Sequence, residues 1–331
     1  MKRQTIWRII LVGVVMMLIG ILPAHSLYAA TAKEIDVSVD VALERFHKEV
    51  KGANEFLNAS KGILVLPKVL KGGFWVGGLR YVKDPATLPP LRVPFREDTI
   101  LKVSDDGKVT KEISLPGLFF KNQLSALLLV RAQVPSEFSD RPGLEIPYLD
   151  LTHLNDIEEL SGEMAVAFPQ FAPGDLLISI RQLNTIMVFS PETERVKWHQ
   201  TGPWIAQHDP DFQQDGRITV FNNNNDGTLT GSALGGSTVI EVDPVTGNSK
   251  TLYGGSPGQR MYSNIRGKHQ KLANGNLLIT EAEAGRLLEV DGNGEIVWEY
   301  VNRYDDKDVA IVFGATRYPE DYFTVTDWRC P

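Results

Sequence analysis

Cysteine is almost absent from this chain of 331 residues. The single thiol, Cys330, stands next to the last residue, so no intramolecular disulfide can form. Nothing in the surrounding TDWRCP is built to lower a thiol pKa and turn it into a nucleophile. Basic runs are absent as well. With Lys+Arg at 34, Asp+Glu at 41 and a formal net charge of -7, no patch could replace the counterions of a phosphate backbone. Nucleic acid is therefore excluded as a partner and a small molecule is the expected substrate. Disorder is excluded by a hydrophobic content of 43%, enough for a large core.

Long apolar runs are missing except at the N-terminus. There MKRQTIWR is followed by the 14 apolar residues Ile9 to Leu22, then by PAHSLYAATA with an A-x-A at Ala30 to Ala32. A positive stretch, a short apolar stretch and a small-residue cleavage site form a signal peptide over 1–32. The expected location is the periplasm or outside the cell. An uncleaved membrane anchor is the alternative, although the run is short of the roughly 20 residues a spanning helix needs.

Residues 36 to 60 place Val39, Leu43, Phe46, Val50, Ala53 and Leu57 three to four apart, the spacing of an amphipathic helix. Then comes ASKGILVLPKVLKGGFWVGG, strand-like, with Gly62, Gly72, Gly73, Gly77 and Gly78 read as turns. This helix and hairpin, 33–78, resemble the start of the SYLF (Ysc84-type) lipid-binding family, a resemblance that implies membrane contact through this segment. The proline-bearing LRYVKDPATLPPLRVPF makes 79–95 a linker.

Beyond it one unit recurs: TILKVSDDGKVTKEISL, TIMVFSPETERVKWHQ, TVIEVDPVTGNSKTLY and RLLEVDGNGEIVWEY. Each is a strand, a polar turn and a returning strand, hence a β-hairpin. The last three follow another strand (GDLLISIRQ, GRITVFNNN, GNLLITEAE) and, before it, a segment carrying His153, His208 or His269. Repeats of 55 and 61 residues between these histidines match propeller blades rather than helical solenoids. The expected fold is all-β: a β-propeller over 96–331, incomplete at about four recognisable blades, with strand repeats starting near 99, 153, 208 and 269. A β-sandwich is the fold alternative.

Inner strands of a propeller line its central channel, so His153, His208 and His269 are expected to converge. His153 and Asn155 lie two apart and share a face. Arg181 ends the next strand, Arg266 and Lys268 stand beside His269, and Arg317 follows in the ATRYPEDYF tail. Imidazoles, cations and an amide donor make an anion site. No metal ligand set and no cofactor motif stands out: Asp209, Asp211 and Asp215 read as a solvated turn in preference to a calcium loop.

The run from Asp150 to Phe323, with HLNDIEEL, GDLLISIR, WIAQHDPDF, ITVFNNN, QKLANGNLLITE, GRLLEV, GEIVWEYVN and RYPEDYF, resembles the arylsulfotransferase (ASST-type) family of exported propellers. The resemblance implies nucleotide-independent transfer of a sulfuryl group from a phenolic sulfate donor to a phenol acceptor through a sulfated histidine. It implies His208 as the nucleophile and His153, Asn155 and Arg181 as sulfate-binding groups, with His269, Arg266 and Arg317 as further substrate-binding candidates. The alternatives are a non-catalytic propeller that binds an anionic ligand or glycan, and a lipid-binding envelope protein.

Overall fold

The computed structural model describes residues 74–82, 91, 94–132 and 149–319, with three isolated positions, 44, 47 and 48. The expected signal peptide or anchor and nearly all of the SYLF-like helix and glycine segment lie outside the described residues.

Strands dominate and form four sheets in chain order. The first contains β1 (Phe74–Val82), β2 (Phe95–Val103) and β3 (Val109–Ser114), with the short β4 (Leu149–Asp150) parallel to the start of β2. The second runs β5 (Leu154–Glu159), β6 (Leu176–Ile180), β7 (Thr185–Ser190) and β8 (Arg195–Thr201). The third runs β9 (His208–Phe212), β10 (Ile218–Asn222), β11 (Thr238–Val242) and β12 (Ser249–Gly254). The fourth runs β13 (Lys268–Lys271), β14 (Leu277–Glu281), β15 (Arg286–Val290) and β16 (Ile296–Val301). Sheets two to four are antiparallel meanders, and all four expected hairpins form, as β2–β3, β7–β8, β11–β12 and β15–β16. This is the blade architecture expected of a propeller.

Side-chain alternation fixes how the blades stack. Along β6, Leu176, Ile178 and Ile180 enter the core shared with the first sheet, while Leu177 enters the core shared with the third. On β7, Met187 and Phe189 take the first direction and Ile186 and Val188 the second. The period of two that usually separates core from solvent here separates one core from the next, so these strands read as continuous apolar runs. The next core, between the third and fourth sheets, gathers Phe221, Val239, Tyr253, Met261, Ile279 and Leu288. A fully buried Leu, Ile or Phe contributes roughly 1.5–3 kcal/mol, so these three layers supply most of the driving force. Inner strands contact one another in order, β1 with β5, β5 with β9 and β9 with β13. Among the described elements no comparable contact returns from the fourth sheet to the first.

Three expectations are corrected. The boundary placed at residue 78 falls inside β1, which pairs with β2 along its whole length, from Phe74 opposite Val103 to Val82 opposite Phe95. The innermost strand of the first blade is therefore β1, not one starting near residue 99. Gly77 and Gly78 are mid-strand rather than turns. A Cβ on Gly78 would stand 2.5 Å from Thr99 Oγ1, so this glycine serves close approach of the two strands. Two short helices also interrupt the β pattern, α1 (Leu115–Lys121) and α2 (Ser125–Ala132). Ser114 Oγ caps α1 by accepting the Gly117 N–H at 3.0 Å, Pro116 occupies the first turn, and Leu115, Leu118 and Phe119 at helical spacing enter the core.

Candidate functional site

His208 opens β9 and is held from both sides. The residue before it, Gln207, is fully buried and donates from Nε2 to Thr185 O at 3.0 Å and to Ser179 Oγ at 3.2 Å. Its own carbonyl accepts the Asn155 Nδ2 at 2.8 Å. On the other side, Nδ1 of His208 lies 2.7 Å from Asn223 Oδ1. Asn223 has one possible orientation, because its Nδ2 donates to the carbonyls of Ser263 and Arg266, both at 2.6 Å. Its oxygen therefore faces the imidazole, Nδ1 of His208 carries the hydrogen, and the lone pair is on Nε2. Burial lowers the His208 pKa, the charges of Arg181 and His153 lower it further, and the value comes down to about 4. At neutral pH the ring is an uncharged base with a defined tautomer.

The neighbours that act on it come from the second blade. His153 has φ +54° and precedes an irregularity between Leu154 and Asp156 in the β5–β6 register. Asp209, just after His208, has φ +53° and precedes an irregularity in the β9–β10 register. Equivalent bulges thus bend the starts of two adjacent inner strands, the usual device for re-aiming side chains at a site. His153 Nδ1 donates to Asp150 Oδ2 at 2.5 Å. Burial raises the Asp150 pKa, but hydrogen bonds from His153 and Gln182 overcome this and hold it below its ordinary value. The backbone N–H of Arg181 donates to the His153 carbonyl at 3.1 Å, which seats the arginine beside that loop. The fold thus brings His153, Asn155, Arg181 and His208 together. Asn155 acts first as a tie, giving one amide hydrogen to the segment that carries His208.

Three candidates lie elsewhere. The guanidinium of Arg266 pairs with Glu283 at 3.1 Å and stacks over Phe313. Arg317 pairs with Glu289, and its backbone exchanges hydrogen bonds with the Gln270 amide at 2.8 and 3.0 Å. His269 is buried between carboxylates, its Nδ1 3.3 Å from Asp209 Oδ2 and its Nε2 3.7 Å from Asp211 Oδ2. A ring seated there faces negative charge, the opposite of what a sulfate subsite needs.

That region is a second centre, one to three residues further along the same inner strands. Burial lifts Asp156 to about 7, helped by the charge of Asp209, and lifts Glu158 to about 8. Asp211 is raised by burial and by its acidic neighbours. Asp209 escapes: burial opposes its ionisation, but His269 and Lys268 hold its carboxyl below the ordinary value.

Comparison with known proteins now bears on the first centre. Residues 70–303 match the family described as arylsulfotransferase (ASST). The chain belongs to that family. The match begins before β1 and ends after β16, so all four sheets are part of the arylsulfotransferase unit, β1 included. Matching to curated proteins returns nothing. Among solved structures, a protein of unknown function from Bacteroides caccae is 15% identical with a TM-score of 0.32, covering 61% of this chain and 53% of its own. The WD40 β-propeller domain of Doa1 is 15% identical with a TM-score of 0.30, covering 44% and 40%. A catalytically inactive virginiamycin B lyase from Staphylococcus aureus with quinupristin is 12% identical with a TM-score of 0.34, covering 69% and 60%. The chain thus spans about half the length of these proteins.

Within the arylsulfotransferase unit, sequence reasoning overlooked Gln207 and Asn223. A signal for Asn223 existed: the unbroken run Asn222 to Asn225 at a strand end, whose amides outnumber what a turn needs. Asn222 accepts the N–H of Ile205 at 2.8 Å, and Asn224 donates to the carbonyls of Leu234 and Gly236, both at 2.9 Å. The run is a set of fasteners around the His208 loop.

Proposed function

We propose that this arylsulfotransferase-family protein transfers a sulfuryl group between phenolic compounds through a sulfohistidine on His208, and that it does so as an exported protein. The observation that carries the proposal is the 2.7 Å contact between His208 Nδ1 and the Asn223 oxygen, an arrangement that supports an Nδ1–H ring with its lone pair on Nε2 as the nucleophile. In the first step the Nε2 lone pair forms a bond to sulfur while the aryl S–O bond breaks and the phenolate leaves with the electron pair. In the second step the oxygen of an acceptor phenol bonds to sulfur, the N–S bond breaks, and the lone pair returns to His208. Overall the acceptor's proton goes to the departing phenolate. Splitting one displacement into two in this way suits a nucleophile that is neutral at working pH. The cationic fork of Arg181, with His153, matches the charge on the equatorial oxygens in flight. Asn155 keeps the Gln207–His208 backbone in register with both.

The test is transfer from 4-nitrophenyl sulfate to a phenol by wild type and His208→Gln. The variant is expected to lose on the order of 10³-fold or more in turnover with its melting curve preserved. The wild type is expected to show a sulfuryl adduct on the His208 peptide when the acceptor is withheld. Retained turnover in the variant overturns the assignment. No aryl-sulfate turnover and no adduct in the wild type leaves an anion-binding propeller instead.

A further inference from the structure

We propose that the protein binds a divalent first-row transition-metal cation, of the kind represented by Zn²⁺ or Mn²⁺, through Asp209, Asp211 and His269. One donor atom from each of the three lies within 4.8 Å of the other two. They come from adjacent inner strands, β9 and β13, on which the fold itself brings them together.

The imidazole is what points to a ligand. The side chain of His269 has 0% exposure, and neither ring nitrogen makes a hydrogen bond. A buried imidazole with both nitrogens unsatisfied is disfavoured by roughly 1–3 kcal/mol for each polar atom. Nε2 and Asp211 Oδ2 stand 3.7 Å apart. Two donors at that separation, each about 2.1 Å from a shared ion, subtend an angle of about 120° at it, which is an ordinary coordination angle. Asp209 Oδ2 stands 3.3 Å from the Nδ1 side of the same ring, which brings the third donor up beside this pair.

Charge supports the same conclusion. Asp156 and Glu158 alternate along β5 and so share a face, and both lie within electrostatic range of Asp211. Among the described residues, four buried or half-buried carboxyl groups, Asp156, Glu158, Asp209 and Asp211, thus gather around Lys268 and His269. Lys268 Nζ contacts Asp209 Oδ1 at 2.5 Å, but its side chain is 49% exposed, so it can swing to solvent when an ion competes for that oxygen. Asp211 and Glu158 also line a cavity of about 560 Å³, which provides an entry path and room for coordinating water. The nitrogen donor selects against Ca²⁺, which takes oxygen ligands, and favours transition metals. Asp215, close to Asp209 and Asp211 in sequence, pairs instead with Lys271 at 2.9 Å. The third donor comes from the next blade, where local spacing gives no sign of it.

The proposal is independent of sulfuryl transfer, and its test reads metal rather than activity. The full chain is stripped with a chelator and dialysed against ZnCl₂, MnCl₂ or CaCl₂, and bound metal is measured. Wild type is expected to retain a single Zn²⁺ or Mn²⁺ with a melting temperature raised by several degrees. Asp211→Asn, which keeps side-chain volume, and His269→Gln are expected to bind at least tenfold more weakly. Co²⁺ in the wild type is expected to give the visible absorption of a nitrogen- and oxygen-ligated ion. Because His269→Gln disturbs a buried position, Asp211→Asn carries the decision. No retained metal, equal retention by wild type and Asp211→Asn, or a preference for Ca²⁺ overturns the proposal.

Discussion

Truncating Asn223 separates positioning from chemistry at the His208 site. Asn223→Ala removes a fully buried amide that gives two hydrogen bonds to backbone carbonyls and takes one from His208. Two partners lose their contact, the Arg266 carbonyl and the Nδ1–H, and the Ser263 carbonyl keeps only Ser237 Oγ at 3.3 Å. At about 1–3 kcal/mol for each unsatisfied group, less whatever a water entering the vacated space recovers, the variant should lose ~2–6 kcal/mol of stability. The chemical effect is distinct from this. Without a partner at Nδ1, the hydrogen redistributes to Nε2, and the lone pair is withdrawn from the atom proposed to attack sulfur. Misassigned tautomers in other histidine-dependent enzymes lower turnover by up to about 10⁴-fold, so a loss of at least 10²-fold in kcat/KM is expected here. The assay is aryl-sulfate transfer well below the variant's melting temperature, with ¹⁵N shifts reporting which nitrogen of His208 is protonated. Wild type should show Nδ1–H alone, and the variant a mixture. Full turnover by folded Asn223→Ala, or an Nε2–H ring in the wild type, would refute the reasoning.

Three further outcomes are expected. With a His208 pKa of about 4, transfer should persist at pH 5.5, where an ordinary imidazole is about nine-tenths protonated, and its acid limb should fall near 4. Because this folded pKa lies below the unfolded one, the unfolded chain binds more protons between them. The contribution of His208 to stability is complete above about 6.5 and is lost, by up to ~3 kcal/mol, as pH falls toward 4; denaturant titrations of wild type and His208→Gln at both ends of that range check the sign. Gly267→Ala should cost about 2–4 kcal/mol and lower the melting temperature by ~5–15 °C, since its φ is +143° and a Cβ would stand 2.2 Å from Phe221 Cε1. A melting curve unchanged by that substitution contradicts the packing described.

The repeat was legible because hairpins announce themselves locally. Asp-Gly and Pro-bearing turns between alternating strands located all four. The first blade's inner strand was not legible, because Gly77 and Gly78 read as turn residues until Thr99 and Leu101 are seen against them. The pairing of His153 with His208 followed from blade register. The destinations of Arg266, Arg317 and His269 did not, because Glu283, Glu289, Asp209 and Asp211 capture them through contacts between blades or across hairpins. Asn223 was visible as a letter, but its role depends on Ser263 and Arg266, some 40 residues away in sequence.

The one-way order of inner-strand contacts has an energetic corollary. Sheets coupled only to their immediate neighbours form a linear array, in which a disturbance decays with each layer it crosses and unravelling begins at the termini. Among the described elements the first and fourth sheets each stack on one neighbour, whereas the second and third are sandwiched. His153, Arg181 and His208 belong to those sandwiched layers, and the Asn223 amide clamps them to the segment leading into the fourth. His208 thus sits where opening requires two interfaces to part at once, and the array can fray at its ends while this centre stays intact.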